Sequence, residues 1–253
     1  MVAKVVVFGL STEGYSIACE MAIKGADVQI IDESTPSAIS ITRDTAKSYT
    51  TVQSIKEDEP LLSMTPIDVA ISKAQYLFFA PIIRKTGQDI KIEINSKFKA
   101  AVGNLKKGSA VVYCLGTGFG GNSENMSLLE HVTGFKVGKT ISYYYYPLPI
   151  FTDLSSFIGT NNTKSDDKLI ELLSNDTEPQ FIGIPSSEFF HAINILKSYS
   201  VLTSILEICK YAKNEVLKSD LTTNELSEIF LDDMINRLFD LRSLSLSFEG
   251  ANT

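Results

Sequence analysis

Tryptophan is absent, histidine occurs only twice, and arginine supplies just four of the 23 basic side chains (Arg43, Arg84, Arg237 and Arg242). So few guanidinium groups leave little capacity for bidentate recognition of many phosphates. A basic tract is also missing: 23 Lys and Arg stand against 30 Asp and Glu, a net charge of −7. Wrapping nucleic acid needs clustered cations that release counterions, so that class of partner is excluded. Cysteine is scarce. Cys19, Cys114 and Cys209 are far apart, odd in number and set in apolar surroundings, with no CxxC or Cys/His cluster. This predicts buried thiols in a reducing compartment and argues against a structural zinc site or any other metal centre. No apolar stretch approaches the ~20 residues of a membrane span. The first apolar run, Val5–Leu10, leads into Ser11, Thr12 and Glu13 rather than a cleavage site, so the expectation is a cytoplasmic protein with no membrane partner.

What is present is an ordinary globular composition: 253 residues, 44% hydrophobic and 21% charged. That length builds a sizeable core without disulfide or metal support. Lys4–Gly9 (KVVVFG) reads as a buried parallel strand, Gly14–Lys24 as a helix stopped by Gly25, and Asp27–Asp32 (DVQIID) as the next strand. Strands are also predicted at Gln75–Ala80, Ser109–Cys114, Lys139–Tyr146 and Gln180–Ile184. Helices are predicted at Pro66–Ala74, at Glu93–Lys107 closed by Gly108, at Glu124–Val132 and at Asp166–Leu173. Ser34–Ser63 is polar and weakly patterned and predicts a long connection with one short helix. Alternating strands and helices imply an α/β class: a Rossmann-type doubly wound, mostly parallel sheet. After Pro185 the pattern becomes all-helical, with helices at Ser187–Leu217 and Thr222–Leu244. The expected organisation is therefore residues 1–184 as a dinucleotide-binding domain and 185–253 as a helical domain. The helices carry more apolar residues (Ile205, Leu206, Ile208, Ile229, Phe230, Ile235, Leu238, Phe239) than one face buries. This predicts a homodimer, the alternative being packing on the first domain.

The turn after the first strand reads Gly9-Leu10-Ser11-Thr12-Glu13-Gly14, and Asp32 lies 23 residues beyond Gly9. Against G-x-G-x-x-G, the second glycine is Ser11. Strand, turn, helix and acid at this spacing predict a dinucleotide site: Gly9 permits the tight turn and Gly14 lets helix and strand approach. The helix start around Ser11 and Thr12 offers N–H groups to a pyrophosphate, and Asp32 accepts from ribose hydroxyls. A carboxylate there repels a 2′-phosphate and so favours NAD over NADP. The competing reading is that Glu13 complements the helix dipole and the turn binds nothing.

Five stretches, in order, resemble the UDP-glucose/GDP-mannose dehydrogenases of the 6-phosphogluconate dehydrogenase-like superfamily. They are GLSTEG, LKKGSAVVYCLGTGFGG (Leu105–Gly121), LLEHVTGFKVGKTISYYYYP (Leu128–Pro147), Ile158-Gly159 and SEFFHAINILKSYSVLTSILEICKYA (Ser187–Ala212). The resemblance implies an NAD-linked fold and a dimerising helix after Ser187. It departs at functional positions. Gly116 stands where the family has Thr, Leu148 follows Pro147 where the family has Glu, and His191 takes the place of a Lys. The family's nucleophilic Cys belongs to a C-terminal sugar-nucleotide domain that this length does not accommodate. The glycines Gly118, Gly120 and Gly121 resemble those before that Cys only superficially, because Asn122 and Ser123 follow. Oxidising an alcohol to an acid passes through a covalent thiohemiacetal, so the full reaction is not expected here.

His191-Ala-Ile-Asn194 is similar to the K-x-x-N of the wider β-hydroxyacid dehydrogenases, which implies proton exchange by His191 while Asn194 orients an oxygen. The plain alternative is a helix histidine hydrogen-bonded to the sheet domain. Gly116 lies in a glycine-rich turn at a strand's carboxyl end and predicts close approach of a ligand to backbone. Tyr143–Tyr146 reads as core. Three functions remain open on sequence: a non-catalytic NAD-binding sensor or assembly partner, an NAD-dependent oxidoreductase of a small hydroxy compound or nucleotide sugar, and a scaffold that binds no nucleotide.

Overall fold

The structure, a computed structural model, describes residues 2–34, 36–49, 51–58, 62–148, 157–162, 166–174 and 178–211. The chain divides into two compact units, Met1–His191 and Ala192–Thr253. The expected second C-terminal helix, Thr222–Leu244, and the side chains of Ile205, Leu206 and Ile208 lie outside the described residues.

The first unit is built on strands β1 (Lys4–Phe8), β2 (Asp27–Ile31), β3 (Ser37–Ile41), β4 (Met64–Pro66), β5 (Tyr76–Phe79), β6 (Ala110–Tyr113), β7 (Ser142–Tyr145), β8 (Phe157–Thr160) and β9 (Gln180–Gly183). They form one sheet in the order β4-β3-β2-β1-β5-β6-β7-β8-β9. The pairs β2–β1, β1–β5, β5–β6 and β6–β7 are parallel. β3 and β4 add antiparallel strands at one edge, and β8 joins β7 antiparallel at the other. The helices are α1 (Thr12–Ile23), α2 (Arg43–Ser48), α3 (Val52–Glu57), α4 (Ile67–Lys73), α5 (Asp89–Val102), α6 (Gly121–Thr133), α7 (Asp167–Leu173) and α8 (Ile184–Tyr211).

The doubly wound form follows from strand alternation. In β1, Val5 and Val7 join one apolar layer while Val6 and Phe8 join the other. The first layer takes Ile17, Ala18 and Met21 of α1 and Leu169 and Leu172 of α7. The second takes Ala70 and Ile71 of α4, Phe98 and Val102 of α5 and Leu129 of α6. An aromatic series runs through this second layer: Phe79 meets Phe98 edge-on at 5.0 Å and Tyr113 at 5.3 Å. Strands buried on both faces carry near-continuous β-branched and aromatic runs, which is why KVVVF and YLFF are legible as strands.

Three expectations need correction. Ser34–Ser63 is not a long connection: it holds β3, α2 and α3. β3 is only five residues, SAISI, and its strand character comes from pairing with β2, which buries Ile39 and Ile41 to 0% and 1% exposure. The helix placed at Glu93–Lys107 is Asp89–Val102 instead, ending at Gly103. Its first turn carries Ile90 and Ile92 exposed, so the apolar period starts late. Gly108 closes no helix; at φ +92° it turns the chain into β6. β8, where no strand is expected from the sequence, is recruited by both neighbours.

After β1 the order of connection reverses: the chain runs to β2 on one side of β1 and later to β5 on the other. The crevice at the carboxyl ends of β1 and β5 is therefore the switch point at which such sheets bind ligands. Gly9 occupies it at φ +115°, and a Cβ there would lie 2.3 Å from the Ala80 carbonyl oxygen. We expect Gly9→Ala to cost about 2–4 kcal/mol through left-handed strain plus backbone collision. Gly25→Ala, at φ +92° with nothing within 4 Å of the added carbon, should cost about 1–2 kcal/mol from strain alone. Urea unfolding of the two variants checks this, and equal losses would show that contact with β5 is unimportant.

Candidate functional site

Two groups of side chains sit on the carboxyl edge of the sheet. The first surrounds the β1–α1 turn. Ser11 is the N-cap of α1: its Oγ accepts from the Gly14 N–H at 2.9 Å and donates to the Ala80 carbonyl at 3.1 Å. Gly14 is as confined as Gly9, since a Cβ there would lie 2.7 Å from the Gly9 oxygen. Thr12 and Glu13 are exposed in the first helical turn, where helix geometry leaves N–H groups without an intrahelical acceptor. Ser11 is the hydrogen-bonding cap, and Glu13 is the acidic side chain of the first turn, where it complements the helix dipole.

Asp32 follows β2, which brings it beside the turn because Phe8 pairs with Ile31. It is 8% exposed. Its Oδ1 accepts from the backbone N–H and the hydroxyl of Ser34 at 2.9 and 2.8 Å, and Lys56 Nζ lies 3.5 Å from Oδ2. Burial alone would push the Asp32 carboxyl up. The Ser34 hydrogen bonds and the Lys56 ammonium outweigh it and hold the group below its ordinary value, so it stays ionised. A second tie crosses the crevice. Lys97 of α5 bonds Glu33 at 2.7 Å and Glu93 at 3.1 Å. Glu93 in turn accepts the Arg84 and Lys85 N–H groups of the segment after β5.

The second group lies at the carboxyl ends of β6 and β7. Gly116 and His191 meet here: a Cβ on residue 116 would stand 2.7 Å from His191 Nε2. This nitrogen is buried and has no hydrogen-bond partner, so the alternative of a histidine tied to the sheet through Nε2 does not apply. Burial lowers the His191 pKa, keeping the ring neutral at neutral pH. The ring stands edge-on to Tyr145 at 6.0 Å. The Tyr145 hydroxyl accepts from the Thr117 N–H at 3.2 Å. Asn122, fully buried, accepts from the Tyr143 hydroxyl at 2.6 Å and donates to Thr117 Oγ1 and Glu188. Asn194, helical and half-buried, belongs to the second unit.

Sequence reasoning names Gly116 and His191 separately; the structure makes them neighbours. It misses Thr117, Asn122, Tyr145 and Glu188. The only available signal is Asn122 directly after Gly120-Gly121 at a helix start. The tyrosines are core as expected, Tyr143, Tyr144 and Tyr145 all being at most 2% exposed, yet Tyr145 also reaches the site. Cys114, one strand position before the turn, is buried. Burial pushes its thiol far above its ordinary value, so it is no thiolate nucleophile. Among the described residues no group of three or more His, Cys, Asp or Glu is placed to hold a metal ion, and no helix is long and apolar enough to cross a membrane.

These features define a Rossmann-type, mostly parallel α/β sheet with the fold of the sugar-nucleotide dehydrogenases. No protein-family model matches the sequence, and no curated protein resembles it significantly. Solved structures do. A ternary complex of GDP-mannose dehydrogenase from Pseudomonas aeruginosa is similar over 89% of this chain and 56% of its own, at 16% identity and a TM-score of 0.63. An NDP-N-acetyl-D-galactosaminuronic acid dehydrogenase from Methanosarcina mazei is similar over 98% and 70% of the two chains, at 16% identity and 0.56. A reductive aminase from Aspergillus terreus, in complex with NADPH and ethyl levulinate, is similar over 100% and 81%, at 12% identity and 0.63. The chain thus spans little more than half the length of the first of these proteins, and at such identities the likeness is one of fold.

The neutral seat of His191 has a pH signature. Its folded pKa lies below the unfolded value, so on acidification the unfolded chain takes up the proton first. Stability from this group is complete above the ordinary histidine value of 6.5 and is lost as pH falls toward the lowered one. Comparing wild type with His191→Gln by urea unfolding between pH 8 and 5 should show a shallower acid decline in the variant. Parallel profiles would mean that the imidazole is not held neutral.

Proposed function

We propose that this chain binds NAD in the crevice at the carboxyl ends of β1 and β5, on a sugar-nucleotide dehydrogenase fold, without performing the alcohol-to-acid oxidation of those enzymes. Its role on this reading is binding, sensing or assembly. The observation that carries it is the seat of Asp32: an ionised, nearly buried carboxylate, oriented by Ser34 and Lys56 beside the turn that Gly9 and Gly14 allow. The residues fit the cofactor. Asp32 offers acceptors to a ribose diol, its charge disfavours a 2′-phosphate, and Thr12 and Glu13 begin a helix whose first N–H groups suit a pyrophosphate. The burial of Cys114 supports the restriction on chemistry, because a thiohemiacetal needs an accessible thiolate.

A second reading, an NAD-dependent oxidoreductase of a small hydroxy compound, is favoured by one observation. His191 Nε2 is buried without a hydrogen-bond partner against Gly116, on a ring that burial keeps neutral, at the carboxyl end of a strand two places from β1. When bound, NAD would supply the hydride acceptor. His191 would take the hydroxyl proton, and Asn194 is assigned to orient the oxygen on sequence spacing alone. The reading extends to a homodimer through α8, supported by its exposed Phe189, Phe190, Ile193 and Leu196; a nucleotide sugar remains the larger candidate ligand.

Calorimetry with NADH and NADPH tests the cofactor. NADH should bind, NADPH more weakly, and Asp32→Ala should lose roughly tenfold or more in NADH affinity, the scale of one charge-assisted hydrogen bond. Absence of NADH binding, or an Asp32→Ala variant as tight as wild type, defeats the proposal. A hydride-transfer screen then divides the two readings. Turnover that disappears in His191→Ala favours the oxidoreductase, turnover that survives removes His191 as its base, and NADH binding with no turnover favours the non-catalytic role.

A further inference from the structure

Glu188 is the one buried carboxylate at the carboxyl edge, among the described residues, that neither reading uses. It is the fifth residue of α8 and is 4% exposed. Its Oε2 accepts from the Gly120 N–H at 2.8 Å, and its Oε1 accepts from the Asn122 N–H at 3.0 Å and Asn122 Nδ2 at 2.8 Å. Gly120 and Asn122 open α6, which has thirteen residues, and Gly120 is in the left-handed region at φ +77°. Backbone N–H groups converging at a glycine-rich helix start are the donors an external carboxylate or phosphate would use. Here they are already bonded to the protein's own anion.

We propose that Glu188 is a specificity-determining residue: by filling the anion position of the β6–α6 turn, it restricts the part of a ligand that reaches Gly116 and His191 to an uncharged carbonyl, imine or alcohol. A ligand carboxylate or phosphate at this turn would meet a like charge inside a water-poor site and would find the turn's donors taken. Among the described residues, the side chains that meet Glu188 and its partners offer no compensating cation: Thr117, Asn122, Tyr143 and Tyr145 are polar and uncharged, and His191, one helical turn on, is neutral by burial. The inference that the turn holds an internal anion stands on the geometry alone; its extension to ligand class rests on the dinucleotide reading above.

The test is chemical rescue. Thermal unfolding of wild type, Glu188→Ala and Glu188→Gln is followed against sodium formate, with sodium chloride at equal ionic strength as control. We expect Glu188→Ala to be destabilised and then restored selectively by millimolar formate, and wild type to be indifferent to it. Glu188→Gln keeps the shape but turns an amide NH2 toward N–H donors, so it should be destabilised and not rescued. Should Glu188→Ala fail to fold alone, formate-dependent refolding is the readout. A wild type stabilised by formate, a Glu188→Ala variant that formate does not restore, or a Glu188→Gln variant as stable as wild type overturns the proposal. The class of ligand is read on NADH-loaded wild type with ethyl pyruvate and pyruvate, which differ in the carboxylate: preference for the ester supports the assignment, preference for the acid overturns it. Failure of NADH itself to bind sinks the dinucleotide reading and leaves the formate result standing.

Discussion

The whole carboxyl edge of the sheet depends on how closely the β1–α1 turn is pressed against the end of β5. With the space for a Gly9 side chain taken by the Ala80 carbonyl and that for Gly14 by the Gly9 oxygen, this approach exists only because two residues lack a Cβ. The Ser11 hydroxyl closes the contact by bonding both the helix N–H and the carbonyl that follows β5. One hydroxyl therefore caps a helix and fastens neighbouring segments, a use of Ser in place of glycine that keeps the turn tight. From that contact follow the direction of α1, the position of its first N–H groups and, through the β1–β2 register, the location of Asp32.

At β6 the same economy of space works between two residues. Without a side chain on Gly116, the His191 ring comes to rest on backbone; with one, Nε2 would collide with it. The absence of a side chain at position 116 and the place of the His191 ring are thus sterically linked. A buried imidazole nitrogen without a partner is costly, and unpaired polar atoms are concentrated where structures meet ligands. Glu188 anchors the start of α8 to this turn by three hydrogen bonds, and Asn122 adds a fourth within the turn, to Thr117.

The likeness to known dehydrogenases and reductases is broad in fold and low in identity. Retaining a scaffold at 12–16% identity requires that layers and close approaches persist while surface residues and chemistry change, since function resides in grafted sites rather than in the fold. The crevice at the ends of β1 and β5 holds Asp32 as a nearly buried carboxylate beside the glycine turn. The β6 turn brings together His191, Gly116 and Glu188, and Cys114 is buried in the core.

By itself the sequence determined the layered class, the order of the main strands, the β1–α1 turn and the acid at the end of β2. Each of these is local: a buried parallel strand is a β-branched run, a left-handed turn wants glycine, and the acid lies at a set distance along the chain. Only the tertiary structure decided that SAISI is a strand, because two isoleucines and an alanine become apolar pairing partners once β2 stands beside them. It alone joined Gly116 to His191 and Glu188 to Asn122, pairs that stand 75 and 66 residues apart along the chain. Such contacts leave no periodicity or spacing in the chain. They arise from which strand ends lie side by side, and that is settled by packing the whole sheet, not by any one segment.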